Sequence, residues 1–203
     1  MPAQNVAVPY GEFLQRSNRQ NGVIQGLTQI EPRLQKLLAE LVMMRLFDDF
    51  QEAIGGVACR LACGTPYRDG SLPILLTAPA KSTLGARDLF ETFGRPKRQY
   101  VKWSKTTYIN ETTKYVLDSA NPFTAACNAN ALIISEMQAV RNRIAHANAN
   151  SRAAFSAIVQ RHYGAKLNNV SPGMLLLSSR FSPTLLEQYV ATCRVITKTC
   201  ARA

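Results

Sequence analysis

Residues 31–63 read EPRLQKLLAELVMMRLFDDFQEAIGGVACRLAC, the longest run of helical periodicity in the chain. Apolar side chains recur there at three- and four-residue spacing, namely Leu34, Leu37, Leu41, Met44, Phe47, Phe50, Ile54, Val57 and Leu61. Pro32 suits a first helical turn, because its missing N–H costs nothing there, and Gly64 suits the stop. The stretch therefore predicts one amphipathic helix on the order of 45 Å long, which Gly55-Gly56 could kink.

Three further segments carry the same periodicity, and breakers separate them. Residues 64–81 hold several prolines and an Asp-Gly pair, so they are expected to form a surface loop, and short helices are expected after Ser82 and within 108–118. The simplest way to bury several apolar stripes is against one another. The sequence therefore predicts an all-α bundle with short helices, a long loop and four main helices, at 31–63, 122–146, 151–163 and 183–200.

The N-terminal segment differs in composition from the rest. Residues 1–30 are rich in Gln, Asn and Gly and hold only short apolar pieces, which predicts an arm that could contain one helical turn. Residues 31–203 are expected to form a single domain, since a chain of 203 residues can bury a core without disulfide or metal support.

The charge balance points to a polyanionic partner. The chain has 24 Lys plus Arg against 13 Asp plus Glu, a net charge of +11. Cations placed on phosphates release condensed counterions, so RNA, DNA and an anionic membrane surface are all candidates at this point. Apolar runs such as Leu175–Leu177 fall far short of the roughly 20 residues of a membrane span. The N-terminus has no signal-peptide pattern, so no membrane insertion and a cytoplasmic location are expected.

The cysteines do not suggest a metal site. Five cysteines form an odd, scattered set, and neither histidine lies near a cysteine pair in sequence. Reduced thiols that serve as small apolar core residues are therefore expected, with no metal and no cofactor.

A basic, aromatic stretch follows the long loop. Residues 95–105 read RPKRQYVKWSK and contain the only tryptophan. Cations on phosphates and rings under bases are one way to hold single-stranded RNA. The alternative is a solvated basic loop whose aromatic side chains pack back onto the core. The RNA-binding candidates, with one residue from the later motif, are Arg95, Lys97, Arg98, Lys102, Trp103, Lys105 and Arg143.

The candidate catalytic residues lie in Arg141-Asn142-Arg143-Ile144-Ala145-His146, near the end of a predicted helix. A guanidinium binds phosphate through paired hydrogen bonds, and an imidazole moves protons near neutral pH. On an ideal helix Arg141 and His146 lie roughly 140° apart, whereas Asn142 and His146 stack on one face. Convergence then requires a helix that ends near Ala145, or a second copy of the chain. A surface arginine with a capping or core histidine is the alternative interpretation.

This motif, between two helices of an all-helical chain, resembles the HEPN superfamily, whose signature is Arg, four to six residues and His, often with Asn after the Arg. The resemblance is strongest over residues 122–163. It implies a helical bundle, commonly a homodimer with motifs facing across the interface, and metal-independent ribonuclease activity. By this resemblance, His146 would be the general acid/base, Arg141 would hold the scissile phosphate, and Asn142 would orient His146 or the phosphate.

One departure from the family concerns regulation. HEPN toxins paired with nucleotidyltransferase antitoxins usually carry a Tyr two residues after the His, where this chain has Asn148.

The expected function is a metal-independent endoribonuclease of toxin or antiviral-defence type, restrained by an antitoxin or regulatory partner protein. The alternative is a non-catalytic helical RNA-binding or scaffold module. Glu136 is a weak candidate for an assisting carboxylate, and His162 is expected to be structural.

Overall fold

The computed structural model describes residues 5–94, 96 and 101–202. These residues contain no strand beyond an isolated antiparallel bridge between Leu75 and Leu117, and a 3₁₀ helix spans Leu27–Gln29. The predicted all-α class is confirmed. Across the described part of the chain the α-helices are α1 Ala7–Gly26, α2 Pro32–Ala62, α3 Thr83–Thr92, α4 Thr106–Thr113, α5 Pro122–Ala129, α6 Ala131–Ala145, α7 Ala149–Tyr163, α8 Pro172–Leu176 and α9 Leu185–Cys200.

The long helix α2 lies at the centre of the fold and contacts α1, α3, α6, α8 and α9. Pro32 occupies its first turn, as predicted, and the helix continues through Gly55 and Gly56. A Cβ at Gly55 would lie 2.8 Å from Nε1 of Trp103. The glycine therefore allows the indole to pack directly on the surface of α2.

Only the second half of the predicted apolar stripe of α2 is buried. Phe47, Phe50 and the apolar residues after them lie in the core, whereas Leu34, Leu37 and Leu41 are 47%, 51% and 64% exposed. The first half of α2 is apolar on two faces, and the core takes the other one, through Ala39, Val42, Met43 and Leu46. The three exposed side chains form a row on the surface, called here the leucine row.

Residues 7–26 form a full helix rather than the expected arm, and α1 packs on α2 and α9. Phe13 meets Phe50 edge to face, with ring centroids 6.5 Å apart. Much of the buried face of α1 is polar. Ser17 accepts a hydrogen bond from Arg194 at 2.8 Å, and the Gln20 amide donates to a buried carboxylate of α2 at 2.8 Å. Apolar periodicity does not detect a helix anchored in this way.

The predicted helix 122–146 is two helices that meet at Asn130. The Asn130 side chain donates to the carbonyl of Ala126 at 2.8 Å, and its backbone leaves the helical region at φ −110° and ψ 17°. A short amide side chain competes with the helical hydrogen bonds in this way. The last helix begins at Leu185 rather than at residue 183, because Thr184 and Glu187 form a capping box.

Candidate functional site

His146 lies directly after the last residue of α6, so the helix ends at Ala145, one of the two conditions set by the sequence. Its backbone is extended (φ −137°, ψ 129°), and its N–H donates to the carbonyl of Asn142 at 2.9 Å. Ser151 of α7 donates through Oγ to the His146 carbonyl at 2.6 Å. Asn148 caps α7 by accepting from the Ser151 N–H at 2.8 Å. These bonds fix the turn that carries the imidazole between α6 and α7.

The imidazole lines an open pocket of about 410 Å³, called here the His146 cleft. Asn142 and Lys105 line the same pocket, so three of the predicted site residues share it. Ser135 and Gln138 also belong to it, and with Asn142 and His146 they follow the three- and four-residue spacing of one helix face. The sequence analysis did not recognise this polar stripe, although its spacing was readable. The lining residues include no carboxylate.

Gln138 connects α6 to the loop that carries Lys105. Its amide nitrogen donates to Oγ of Ser104 at 3.0 Å. Its carbonyl oxygen is buried and has no hydrogen-bond partner among the described residues. Lys105 is half-buried, and its ammonium lies 5.8 Å from the ring centroid of Tyr108. The cleft thus has a cation, an imidazole and amide groups, most of them carried by α6 and α7.

Arg141 does not line the His146 cleft. Its Nη2 lies 3.7 Å from Oδ1 of Asp48 on α2, and Nε is buried without a partner among the described residues. The Asp48 side chain is 49% exposed, so this is a long, solvated ion pair that contributes little to stability. Within one chain the structure therefore brings Asn142 and His146 together and leaves Arg141 on another face. Convergence of Arg141 with His146 would therefore require a second copy of the chain.

Trp103 is a core residue, contrary to the prediction that it binds RNA. It is 8% exposed and meets Phe90 edge to face at 5.6 Å, so little of its surface is open to a base. Lys102 is exposed, and its ammonium lies 5.2 Å from the ring centroid of Tyr108. Three predicted RNA-binding residues, Arg95, Lys97 and Arg98, lie outside the described residues.

Arg143, the remaining RNA-binding candidate, lines a different pocket of about 460 Å³. Arg152 of α7, which the sequence analysis missed, lines the same pocket. The only signal for it was a basic side chain in the first turn of the helix that follows the motif.

Glu136 faces away from the His146 cleft, into a buried network, and so is not an assisting carboxylate. It is 6% exposed and accepts from Tyr189 Oη at 2.7 Å and from Arg161 Nη1 at 2.8 Å. Nε2 of His162 lies 2.7 Å from the same carboxylate, so His162 has the structural position that was expected. Burial raises the pKa of the Tyr189 hydroxyl well above its usual range, and the negative charge of Glu136 raises it further. The hydroxyl therefore stays protonated and can donate its hydrogen bond to Glu136.

Among residues 5–94, 96 and 101–202, no group of three or more His, Cys, Asp or Glu side chains is arranged to hold a metal ion. No helix in those ranges combines the length and apolar character that crossing a bilayer requires. No family model, curated protein or solved structure matches the chain. The case for a function therefore depends on the residues of the His146 cleft and their surroundings.

Proposed function

We propose that this chain is a metal-independent endoribonuclease in which His146 is the general acid/base. The observation that carries the proposal is that His146, Asn142 and Lys105 line one open cleft that contains no carboxylate. An exposed imidazole beside a cation suits a phosphodiester substrate, because the cation attracts the phosphate and the imidazole moves protons near neutral pH. The net charge of +11 supports a nucleic-acid substrate.

Cleavage in this proposal uses the ribose 2′-hydroxyl as the nucleophile. His146 accepts the 2′ proton while the 2′-oxygen attacks phosphorus, and the bond from phosphorus to the 5′-oxygen breaks. The protonated imidazole then gives the proton to the leaving 5′-oxygen, so the products are a 2′,3′-cyclic phosphate and a 5′-hydroxyl. Lys105 stabilises the charge that develops on the phosphoryl oxygens. Asn142, one helical turn before His146, orients the imidazole or the phosphate.

Arg141 enters the proposal through a homodimer. The leucine row lies on the same face of α2 as Asp48, since Leu41 and Asp48 are seven residues apart and differ by roughly 20° on an ideal helix. A second copy that covered the exposed leucines would lie beside the Arg141–Asp48 pair. In this arrangement Arg141 lies at the interface, and we propose that it serves the cleft of the partner copy. Leu37→Glu is expected to convert the dimer to a monomer, which light scattering would detect as a halved molar mass. A variant with the same molar mass as the wild type would reject this interface.

The catalytic test is RNA cleavage in the presence of EDTA. His146→Ala is expected to lower the rate by a factor on the order of 10² to 10⁴ while the helical circular dichroism spectrum is kept. Lys105→Ala is expected to lower it less, and Lys198→Ala, which removes an exposed cation of α9 outside the cleft, is the charge-matched control. Undiminished cutting by His146→Ala would reject the assignment.

The proposed biological role is a toxin or an antiviral-defence factor, held in check by an antitoxin or regulatory partner protein. An unrestrained ribonuclease degrades the RNA of its own cell, so such a partner is part of the proposal. Expression of the wild-type chain alone is expected to stop growth, and expression of His146→Ala is not. Equal toxicity of the two chains would exclude this role.

The second candidate is a non-catalytic RNA-binding or scaffold module, which is favoured by the pairing of Arg141 with Asp48 away from His146. It predicts salt-dependent RNA binding that falls when Lys97, Arg98 and Lys102 are neutralised together, with no cleavage under any condition. One gel with wild type, His146→Ala and the triple variant separates the two candidates.

A further inference from the structure

We propose that the pocket of Arg143 and Arg152 binds one nucleotide of the RNA strand that the His146 cleft cuts. The inference rests on the proposed function for its RNA, but its chemistry is independent of cleavage. The pocket, called here the arginine pocket, has a volume of about 460 Å³ and lies between α6, α7 and the loop after α7. This volume is within the range of small-molecule sites, roughly 300 to 1,000 Å³.

The arginines of α6 and α7 differ in whether their charge is paired. The helices α6 and α7 carry four arginines. Arg141 pairs with Asp48 at 3.7 Å, and Arg161 pairs with Glu136 at 2.8 Å. The other two are Arg143 and Arg152, whose side chains make neither a hydrogen bond nor an ion pair among the described residues, and no carboxylate lines the pocket. Two guanidiniums with unused donors that line one pocket favour phosphate.

The rest of the lining fits the nucleoside. Phe155 and Val159 form a buried apolar floor, at 4% and 2% exposure, and Leu167 is 41% exposed at the edge. Asn168 and Asn169 add side-chain amides, each of which carries both a donor and an acceptor. A base could contact the apolar floor while its edge meets an amide and its phosphate meets the arginines. Inorganic phosphate would leave the floor and the amides unused.

The position of the pocket links it to the cleft. Asn142 and Arg143 are consecutive, as are Ser151 and Arg152, and in each pair the first residue lines the cleft and the second lines the arginine pocket. Consecutive helical residues point about 100° apart, so the two pockets open on two sides of the α6–α7 pair at one level. A strand that crosses the turn at 146–148 therefore has a route from one pocket to the other. The arginine pocket would then select the nucleotide beside the cleavage site.

The test uses the full chain with His146→Gln, so that RNA stays intact. Uridine and adenosine 5′-monophosphates, and inorganic phosphate separately, are titrated while backbone and side-chain amides are followed by NMR. Saturable shifts are expected at Asn168 and Asn169 for a monophosphate, at tenfold or more lower concentration than for phosphate. Arg152→Ala should weaken this binding at least tenfold. Arg19→Ala, which removes an exposed arginine from α1, should leave it unchanged.

A second arm uses a single-stranded RNA in fluorescence anisotropy with the same variants. Arg152→Ala, and independently Arg143→Ala, should each lower the affinity and reduce the slope of log affinity against log salt by about one. Phosphate binding as tightly as the monophosphates, or monophosphate binding indifferent to Arg152→Ala, would overturn the inference. If the pocket fails in these ways while His146-dependent cleavage persists, only the inference is lost. If His146→Ala still cuts RNA while the pocket binds monophosphates, only the proposed function is lost.

Discussion

Removal of the Tyr189 hydroxyl tests whether the Glu136 network stabilises the bundle. Tyr189 is fully buried, and its hydroxyl donates to the Glu136 carboxylate at 2.7 Å. A hydrogen bond to a charged group contributes about 1.5–3 kcal/mol, and Tyr189→Phe removes it without creating a cavity larger than one oxygen atom. Glu136 keeps its bonds to Arg161 and His162, so we expect a loss of about 2 kcal/mol in the free energy of unfolding.

Urea unfolding followed by circular dichroism at 222 nm measures this loss. With a denaturant slope of about 2 kcal/mol/M, the midpoint should fall by about 1 M while the slope stays unchanged. Tyr163→Phe is the matched control, because the Tyr163 hydroxyl donates to a neutral partner, Ser178 Oγ, at 2.8 Å. It should cost only about 0.5–1.5 kcal/mol. Equal losses in the two variants, or a Tyr189→Phe variant as stable as wild type, would refute the reasoning.

Four further outcomes are expected. Gly173→Ala should destabilise the fold by about 1–3 kcal/mol in thermal unfolding, because its Cβ would lie 2.5 Å from a backbone carbonyl oxygen of α2. Gly22→Ala, where the Cβ meets open space, should instead gain about 0.5–1 kcal/mol. The free energy of unfolding should fall as the pH rises above 9. Burial raises the pKa of the Cys59 thiol from 9.0 to about 11, so this thiol ionises first in the unfolded state. Urea titrations at increasing pH should show a smaller fall for Cys59→Ser. Asp48→Asn frees Arg141 and should steepen the salt dependence of RNA affinity; an unchanged slope would show that Arg141 does not contact RNA.

The helices that sequence reasoning located correctly are those anchored by apolar stripes and clear boundary residues. The periodicity over 31–63 and Pro32 located α2, and Ser82 caps α3 as expected, accepting from the Gly85 N–H at 3.1 Å. The errors have polar causes. The helix α1 buries Ser17 and Gln20 through partners 29 or more residues away, and the amide of Asn130 interrupts a stripe that looks continuous. Partners so distant in sequence leave no local pattern.

For the candidate site, helix geometry predicted that Asn142 and His146 share a face and that Arg141 does not. Both statements agree with the structure. The approach of Lys105 was not predictable as geometry, because it depends on the hydrogen bond between Ser104 and Gln138, 34 residues apart. The aromatic pattern around Trp103 was misleading for a related reason, since the indole packs on Gly55 of α2, which is distant in sequence.

The packing of Trp103 on Gly55 and Phe90 gives the protein a built-in optical reporter. It is the only tryptophan in the chain, so any signal excited at long wavelength comes from one known place between α2 and α3. Because the indole is shielded there, its emission should redden when the bundle comes apart and stay constant when a polynucleotide occupies the cleft. Unfolding can thus be followed in an unlabelled sample without interference from ligand binding.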